Sequence, residues 1–199
     1  MAVLLLVATV CLIAGVRGLI DHSNGPPVPP RSADVVVNPT APTGLDVSRS
    51  VPVFLRVPQI NLAVSLSKLG LNADGTVEVP TDFHQPGWFR LGSSPGELGA
   101  AVILGHVDSY RGPAVFYQLG DLRPGDRVSV TLADGVVTHF TVSSVAIYKK
   151  ARFPARRVYG AGDVSTLQLV TCGGVFDHAT GHYLSNIVVY TDLVSTTPA

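Results

Sequence analysis

An all-β barrel or sandwich is the fold class that this sequence predicts, and three observations support it. Short apolar or alternating runs recur along the chain, separated by turn residues at roughly regular spacing. The segments 127–132 and 136–147 alternate around Ala133-Asp-Gly135, a pattern typical of a β-hairpin. The sequence contains no heptads, internal repeats or long amphipathic helices. Its 199 residues are enough for one substantial domain with its own core.

Local patterns predict the individual elements. A turn at Pro58 divides the first two strands, and Trp88 would anchor a predicted loop over 85–89 by packing against the domain. A short helix of one or two turns is predicted at 113–119, and a further loop at 153–159. The predicted strands are 52–57, 62–66, 76–79, 100–104, 127–132, 136–147, 166–170 and 186–194.

Composition narrows the class of protein. Hydrophobic residues make up 46% of the chain and charged residues 14%, which fits a compact β domain with an apolar segment attached. The formal net charge is zero, so the sequence gives no sign of a nucleic-acid partner or of a strongly acidic one.

The N-terminal region predicts export. Residues 2–16 are apolar without a break, somewhat short of the ~20 that a spanning helix needs. Ala14-Gly-Val16 is a poor cleavage site, so an uncleaved anchor with the domain outside is favoured over a cleaved and secreted form. The segments are a signal or transmembrane anchor at 1–20, a proline-rich spacer at 21–50, a domain at 51–194 and a tail at 195–199.

The two cysteines have different settings. Cys11 lies in the apolar N-terminal segment, which leaves Cys172 alone in the predicted exported domain. An unpaired cysteine outside the cell is open to oxidation and is unusual unless its thiol has a use. A buried structural cysteine is the alternative interpretation. The setting of Cys172 favours a functional thiol.

Two apolar strands end in reactive side chains. Cys172 follows the run 166–171 and precedes two glycines, which allow a sharp turn and a close approach by another chain. His106 follows the run 100–104 and Gly105. An imidazole beside a thiol can take its proton and so activate it as a nucleophile. The two residues form such a couple only if the fold brings the two strand ends together.

These residues resemble the sortases, the cysteine transpeptidases of Gram-positive cell surfaces, and in finer detail their class F branch. The resemblance covers roughly residues 51–194. It rests on the Thr-Leu-x-x-x-Thr-Cys run at 166–172, Gly105-His-Val-Asp-Ser109, the run 112–116, Pro124-Gly-Asp126, 172–177, Tyr183 and Asn186-Ile-Val-Val-Tyr190.

The resemblance implies a fold and a reaction. The fold is an eight-stranded β-barrel with short helices, preceded by an N-terminal apolar helix. The reaction is cleavage after Thr in a Leu-Pro-x-Thr-Gly-like sorting signal of exported proteins, through a thioester on Cys172, followed by transfer to an amine of the cell envelope. His106 would be the acid and base. Neither role needs a metal or an organic cofactor.

The sequence departs from the family at the third catalytic position. Class F relatives carry an arginine where Leu184 stands, and no arginine follows Arg157. Asn186 would share a strand face with Leu184 and could supply an amide donor to the oxyanion, although a weaker one than a guanidinium. The loop arginines at 111, 152, 156 and 157 are the alternatives. Thr171, Leu184 and Asp108 are candidate substrate-binding residues, and Asp108 could instead orient His106 or lie in a surface loop.

Three other interpretations of the candidate site follow from the same residues. His178 and His182, with Asp177, have a spacing that could suit a metal, but they lie in a glycine-containing loop and are expected to be exposed loop residues. A peptidoglycan cross-linking transpeptidase would keep its cysteine and histidine within a few residues, whereas here they are 66 apart. A catalytically silent sortase relative that binds sorting-signal peptides remains the main alternative, because of Leu184.

Overall fold

The structure is a computed structural model that describes residues 26–27 and 47–199. The predicted N-terminal anchor with Cys11, and most of the predicted spacer, lie outside the described residues.

The described chain is built mainly from β-strands. Its helical elements are one short α-helix, α1 (Ala155–Tyr159), and three 3₁₀ turns at Pro58–Ile60, Leu119–Asp121 and Lys150–Arg152. The strands are β1 (Pro52–Val57), β2 (Leu62–Ser65), β3 (Ser67–Leu69), β4 (Gly87–Phe89), β5 (Gly99–Leu104), β6 (Asp108–Ser109), β7 (Gly112–Pro113), β8 (Arg127–Leu132), β9 (Val136–Lys149), β10 (Ser165–Asp177) and β11 (His182–Pro198).

Nine of these strands form one sheet that curls into a nearly closed barrel. Their order is β2-β1-β8-β9-β11-β10-β5-β4-β3. The two outermost strands, β2 and β3, are separated only by Leu66 and form one bent strand. Its first half pairs with β1 and its second half with β4, which closes the sheet on itself. Counted with β2 and β3 as one, the barrel has eight strands, and the predicted fold class is confirmed.

Alternation along each strand fills the barrel. Leu167 and Leu169 of β10, and Ile187 and Val189 of β11, are fully buried in the main core cluster. Because successive side chains of a strand point to opposite faces, the even-numbered neighbours lie on the outer face. The outer face of β10 and β11 is also covered, because Val170 and Val188 pack in a second cluster that includes Val158 of α1. Burial on both faces explains why β5 and β10 are nearly continuous apolar runs.

The structure corrects four local predictions. Residues 76–79 form no strand, only a single bridge between Leu71 and Val77. The predicted loop 85–89 contains β4, with Trp88 3% exposed and its indole N–H donating to the Ser93 carbonyl at 3.0 Å. Within 113–119 only the start of a 3₁₀ turn, at 119, is helical. The predicted loop 153–159 includes α1, which begins directly after Pro154. Each of these elements is too short to show its own periodicity.

Residues on both sides of the segment 51–194 lie against the barrel. β11 extends through Pro198, which pairs with Val136, so most of the predicted tail is part of this strand. At the other end, Pro26 is buried and Pro27 lines a cavity of about 310 Å³ together with Ile60 and the segment 113–118. Within the described part of the chain, no helix combines the length and apolar character needed to cross a membrane.

Candidate active site

The pairing of β5 with β10 determines where His106 and Cys172 lie. The two strands run parallel and in register from Ser165↔Gly99 to Val170↔Leu104. The Gly105 N–H then donates to the Val170 carbonyl at 3.1 Å. His106 and Cys172 each follow the last pair by two residues, on strands that lie about 4.8 Å apart. The fold therefore brings these two strand segments together, as a Cys–His couple requires.

Cys172 does not end its strand, contrary to prediction. β10 continues to Asp177 and forms a hairpin with β11, with an irregularity in the pairing between Gly173 and Phe176. Gly174 lies in this irregularity at φ 77°, a conformation that favours glycine. The two glycines thus bend the hairpin beyond Cys172 rather than terminate the strand. The Cys172 side chain is partly exposed and makes no disulfide.

A row of side chains crosses the sheet at the level of Cys172. Cys172 pairs with Asn186 of β11, and Asn186 pairs on its other side with Tyr148 of β9. Directly opposite residues share a face, so the three side chains project to the outer face that carries the second cluster. The side-chain amide of Asn186 makes no hydrogen bond to any other residue that the structure describes. This leaves an amide donor across from the thiol.

Two contacts orient His106. Its Nε2 lies 2.7 Å from the Pro80 carbonyl oxygen, and its ring lies 4.6 Å from that of Phe83. Since a carbonyl only accepts hydrogen bonds, Nε2 is the donor in this contact, and in the neutral imidazole Nδ1 is then the acceptor. Gly105 allows this placement, because a Cβ there would lie 2.6 Å from the Phe116 ring. No pattern in the sequence points to Pro80 or Phe83, which precede His106 by more than 20 residues.

Asp108 contacts Tyr183 rather than His106. Its Oδ2 accepts a hydrogen bond from the Tyr183 hydroxyl, and Tyr183 is only 9% exposed. The Tyr183 ring also packs on Phe176 across the hairpin, at 5.0 Å. Burial raises the pKa of Tyr183 above its ordinary value, and the Asp108 hydrogen bond and the acidic groups of Asp108, Tyr117 and Cys172 raise it further. Tyr183 therefore stays a protonated donor at neutral pH.

Thr171 and Leu184 have different surroundings. Thr171 is 3% exposed, and its hydroxyl has no hydrogen-bond partner among the described residues. It neighbours Cys172 on the strand and so points into the barrel, away from the face of the thiol. Leu184 is 50% exposed beside the irregular part of the hairpin.

Of the four alternative arginines, Arg157 of α1 lies over the outer face of the sheet, the face to which Cys172 projects. Its guanidinium is 4.6 Å from the centre of the Tyr190 ring, and the Tyr190 hydroxyl donates to that of Tyr148 at 3.4 Å. Arg111 instead stacks on Tyr110, at 5.1 Å. Arg152 and Arg156 are exposed and form no ion pair with described residues.

The histidines beyond Cys172 lie in an exposed turn. His178 and His182 are exposed, and Asp177 accepts hydrogen bonds from the Thr180 hydroxyl and the Ala179 N–H. The Thr180 hydrogen bond, followed by that of Ala179, lowers the pKa of Asp177. Asp177 thus stabilises the turn. Among residues 26–27 and 47–199, no group of three or more His, Cys, Asp or Glu side chains could hold a metal ion.

The described residues define a nearly closed β-barrel domain in which His106 and Cys172 each follow the same strand pair by two residues. A family model described as "Sortase domain" matches residues 55–194, and the chain belongs to the sortase family. Members of this family are typically cysteine transpeptidases that act on sorting signals and are typically membrane-anchored outside the cell.

Solved structures share the fold at low sequence identity. Sortase A of Listeria monocytogenes aligns with a TM-score of 0.58 and 16% identity over 76% of this chain and 91% of its own. Sortase E1 of Streptomyces coelicolor, solved with a tripeptide in the active site, aligns with a TM-score of 0.55 and 17% identity over 75% and 91%. Sortase C1 of Streptococcus agalactiae gives 0.55 and 17% over 72% and 67%. No curated protein matches the sequence significantly.

Proposed function

We propose that this chain is a class F-like sortase, which cleaves a Leu-Pro-x-Thr-Gly-like sorting signal through a thioester on Cys172 and transfers it to a cell-envelope amine. The observation that carries this is the parallel pairing of β5 and β10, which ends two residues before both His106 and Cys172. The class F assignment rests on the sequence motifs, since the solved relatives reported above belong to classes A, C and E.

The chemistry moves one proton through His106 in each half of the reaction. His106 Nδ1 accepts the thiol proton, and Sγ attacks the carbonyl carbon of the signal's Thr. The Thr–Gly amide bond breaks, and His106 passes the proton to the leaving amine. An acceptor amine then attacks the thioester carbonyl and the C–S bond breaks, while His106 takes the amine's extra proton and returns it to the departing thiolate. The Cys172 thiol is restored, and no net proton or electron is consumed.

Asn186 is the proposed donor to the oxyanion. It lies directly opposite Cys172, where the carbonyl carbon must sit during the attack, and its amide has no other partner among described residues. A donor aimed at the developing negative charge stabilises the transition state more than the ground state. Leu184 and Asp108 would line the peptide path on either side of the thiol. Thr171, whose side chain points into the barrel, would contribute only as the strand neighbour of Cys172.

The proposed location is the outer face of the cytoplasmic membrane, with residues 1–20 as the anchor. Two points support this location: the uninterrupted apolar run at 2–16, and the typical membrane anchoring of sortases outside the cell. Sorting-signal proteins and an envelope amine would be the partners.

A catalytically silent relative that binds sorting signals is the second candidate. The exposed Leu184, at the position where class F relatives carry arginine, favours it. Such a protein would bind the peptide without forming a bond to it.

Mass spectrometry of the intact protein separates the two candidates. The protein is incubated with a Leu-Pro-x-Thr-Gly peptide and then quenched in acid. A transpeptidase gains the mass of the fragment ending in Thr, and Cys172→Ala does not. Addition of an acceptor amine should discharge the adduct. Peptide binding without any adduct would refute the enzyme and support the silent relative.

A further inference from the structure

The site contains a hydrogen bond whose position suits it to hold the two catalytic segments together. Tyr183 lies on β11, three residues from Asn186, the cross-strand partner of Cys172, and Asp108 lies two residues after His106. The Tyr183 hydroxyl donates to Asp108 across 75 residues of sequence. The partners thus belong to the two parts of the chain that carry the nucleophile and the base.

Backbone pairing does not reach these segments. The β5–β10 ladder ends at Val170↔Leu104, and the Gly105 N–H makes the last backbone hydrogen bond between the two strands. Beyond it, the chain after His106 turns into the β6–β7 hairpin, whereas the chain after Cys172 pairs with β11. Between residues 106–113 and 171–186, among those described, the Tyr183–Asp108 bond is the one hydrogen bond that joins the two segments.

The Tyr183 end of this bond is rigid. The Tyr183 ring is buried and packs against Phe176, its cross-strand partner in the β10–β11 hairpin. The His106 end is also fixed locally, because the His106 carbonyl accepts from the Phe116 N–H at 2.9 Å and the Val107 carbonyl from the Ala114 N–H at 3.1 Å. Two locally rigid units are therefore joined through one side-chain contact. Loss of that contact would let the two units move relative to each other as rigid bodies.

Resting on the function proposed above, we propose that Tyr183 and Asp108 are positioning residues that hold the His106 loop at a fixed distance from Cys172. The bond places the imidazole within proton-transfer range of the thiol, and neither residue takes part in the chemistry itself. Proton transfer needs donor and acceptor within ~3 Å, so even a small shift of the loop slows acylation.

Variants of the pair separate positioning from folding. Tyr183→Phe and Asp108→Ala should each lower kcat by about 10- to 100-fold, the scale of losing a hydrogen bond to a charged group in a position-critical site. In Tyr183→Phe, KM should change less than about twofold, because the proposed substrate contacts of Asp108 and Leu184 remain. Tyr183→Phe/Asp108→Ala should be no slower than either single variant, since each alone removes the same bond. Asp108→Asn keeps an acceptor oxygen and should retain most of the activity.

Thr138→Val is the matched control. It removes another buried side-chain hydroxyl bond, to the Val130 carbonyl at 3.2 Å, on the β8–β9 part of the barrel. It should lower Tm about as much as Tyr183→Phe while leaving kcat unchanged. If Tyr183→Phe does not fold, the Asp108 variants alone carry the test.

The outcomes separate this proposal from the function on which it rests. If the wild type forms no peptide adduct on Cys172, the proposed function fails. If the wild type forms the adduct and Tyr183→Phe and Asp108→Ala form it equally fast, only the positioning role fails. A loss in Asp108→Asn as large as in Asp108→Ala would also overturn it, because the charge and not the hydrogen bond would then be at work.

Discussion

Replacement of Asn186 by alanine tests the proposed oxyanion donor. Asn186 is the direct cross-strand neighbour of Cys172, and side chains in such pairs have Cβ atoms about 4.5–5.5 Å apart. This spacing lets the amide reach an oxyanion that forms next to Sγ. Removal of one such donor lowers kcat by about 10²- to 10³-fold, which corresponds to about 2.7–4 kcal/mol of transition-state stabilisation. Asn186→Ala should therefore lose activity on that scale.

Arg157 is the competing donor, and its expected effect is much smaller. Its guanidinium lies over Tyr190, which is four residues along β11 from Asn186 and hence about 14 Å away along the strand. In this position Arg157→Ala removes a cation–π contact worth about 0.5–1 kcal/mol at an exposed site. From that energy, a decrease of at most about two- to fivefold in kcat/KM is expected.

Steady-state cleavage of a fluorogenic sorting-signal peptide measures both variants, with and without an acceptor amine. Ser185→Ala serves as the control, because Ser185 is the strand neighbour of Asn186 but faces the other side. It should behave like the wild type. If Asn186→Ala stays within about twofold of the wild type and Arg157→Ala loses 100-fold, the donor is the arginine and the assignment of Asn186 is wrong.

Three further predictions concern the base, the loop beneath it and the barrel. His106→Ala should abolish both acylation and transfer in the adduct assay, whereas His182→Ala, in the exposed turn, should leave both intact; the reverse result would move the acid–base role. Gly105→Ala should destabilise the domain by about 1–3 kcal/mol in urea unfolding, because the new Cβ would collide with the fully buried Phe116 ring; an unchanged midpoint would show that the ring can move aside. Burial raises the pKa of Asp192 in the folded protein. Its contribution to the free energy of unfolding is therefore most favourable below pH ~3.8 and is lost as the pH rises through the raised pKa. Asp192→Asn should accordingly raise Tm at pH 7, and the gain should disappear at pH 3; a gain that is the same at both pH values would contradict the titration.

The sequence predicted the strands that carry the site but not their adjacency. The runs 100–104 and 166–170 are apolar because β5 and β10 are buried on both faces, and this signal is local. Their parallel pairing is not local, since it depends on a crossover of about 60 residues and leaves no mark on either run. For this reason the sequence could predict the apolar strands that precede His106 and Cys172, whereas the adjacency of the two strands required the fold or the resemblance to a family.

The contacts that orient the site were beyond the sequence for the same reason. Pro80 reaches His106 through its backbone carbonyl, an atom that every residue possesses. Asp108 was a candidate to orient the imidazole because it lies two residues away, but its carboxylate bonds to Tyr183 instead. Closeness in sequence favoured the wrong partner, since the β6–β7 hairpin turns Asp108 towards β11.

The β10–β11 pairing determines whether strand alternation applies to positions 184 and 186. Alternation places Leu184 and Asn186 on one face only if the pairing between them is regular. The ladder is regular at Cys172↔Asn186 and Gly173↔Ser185, but the next pair is Phe176↔Tyr183. Two residues of β10 therefore lie opposite the single residue Leu184 of β11. The regular pairing reaches position 186 and is interrupted at position 184, where the hairpin bends, so strand alternation applies to Asn186 and not to Leu184. An arginine at 184 would have to reach back over this bend to the thiol, whereas an amide at 186 is already opposite it. For the proposed function, position 186 is thus a more direct source of a donor than position 184, where the resemblance to class F sortases implies an arginine.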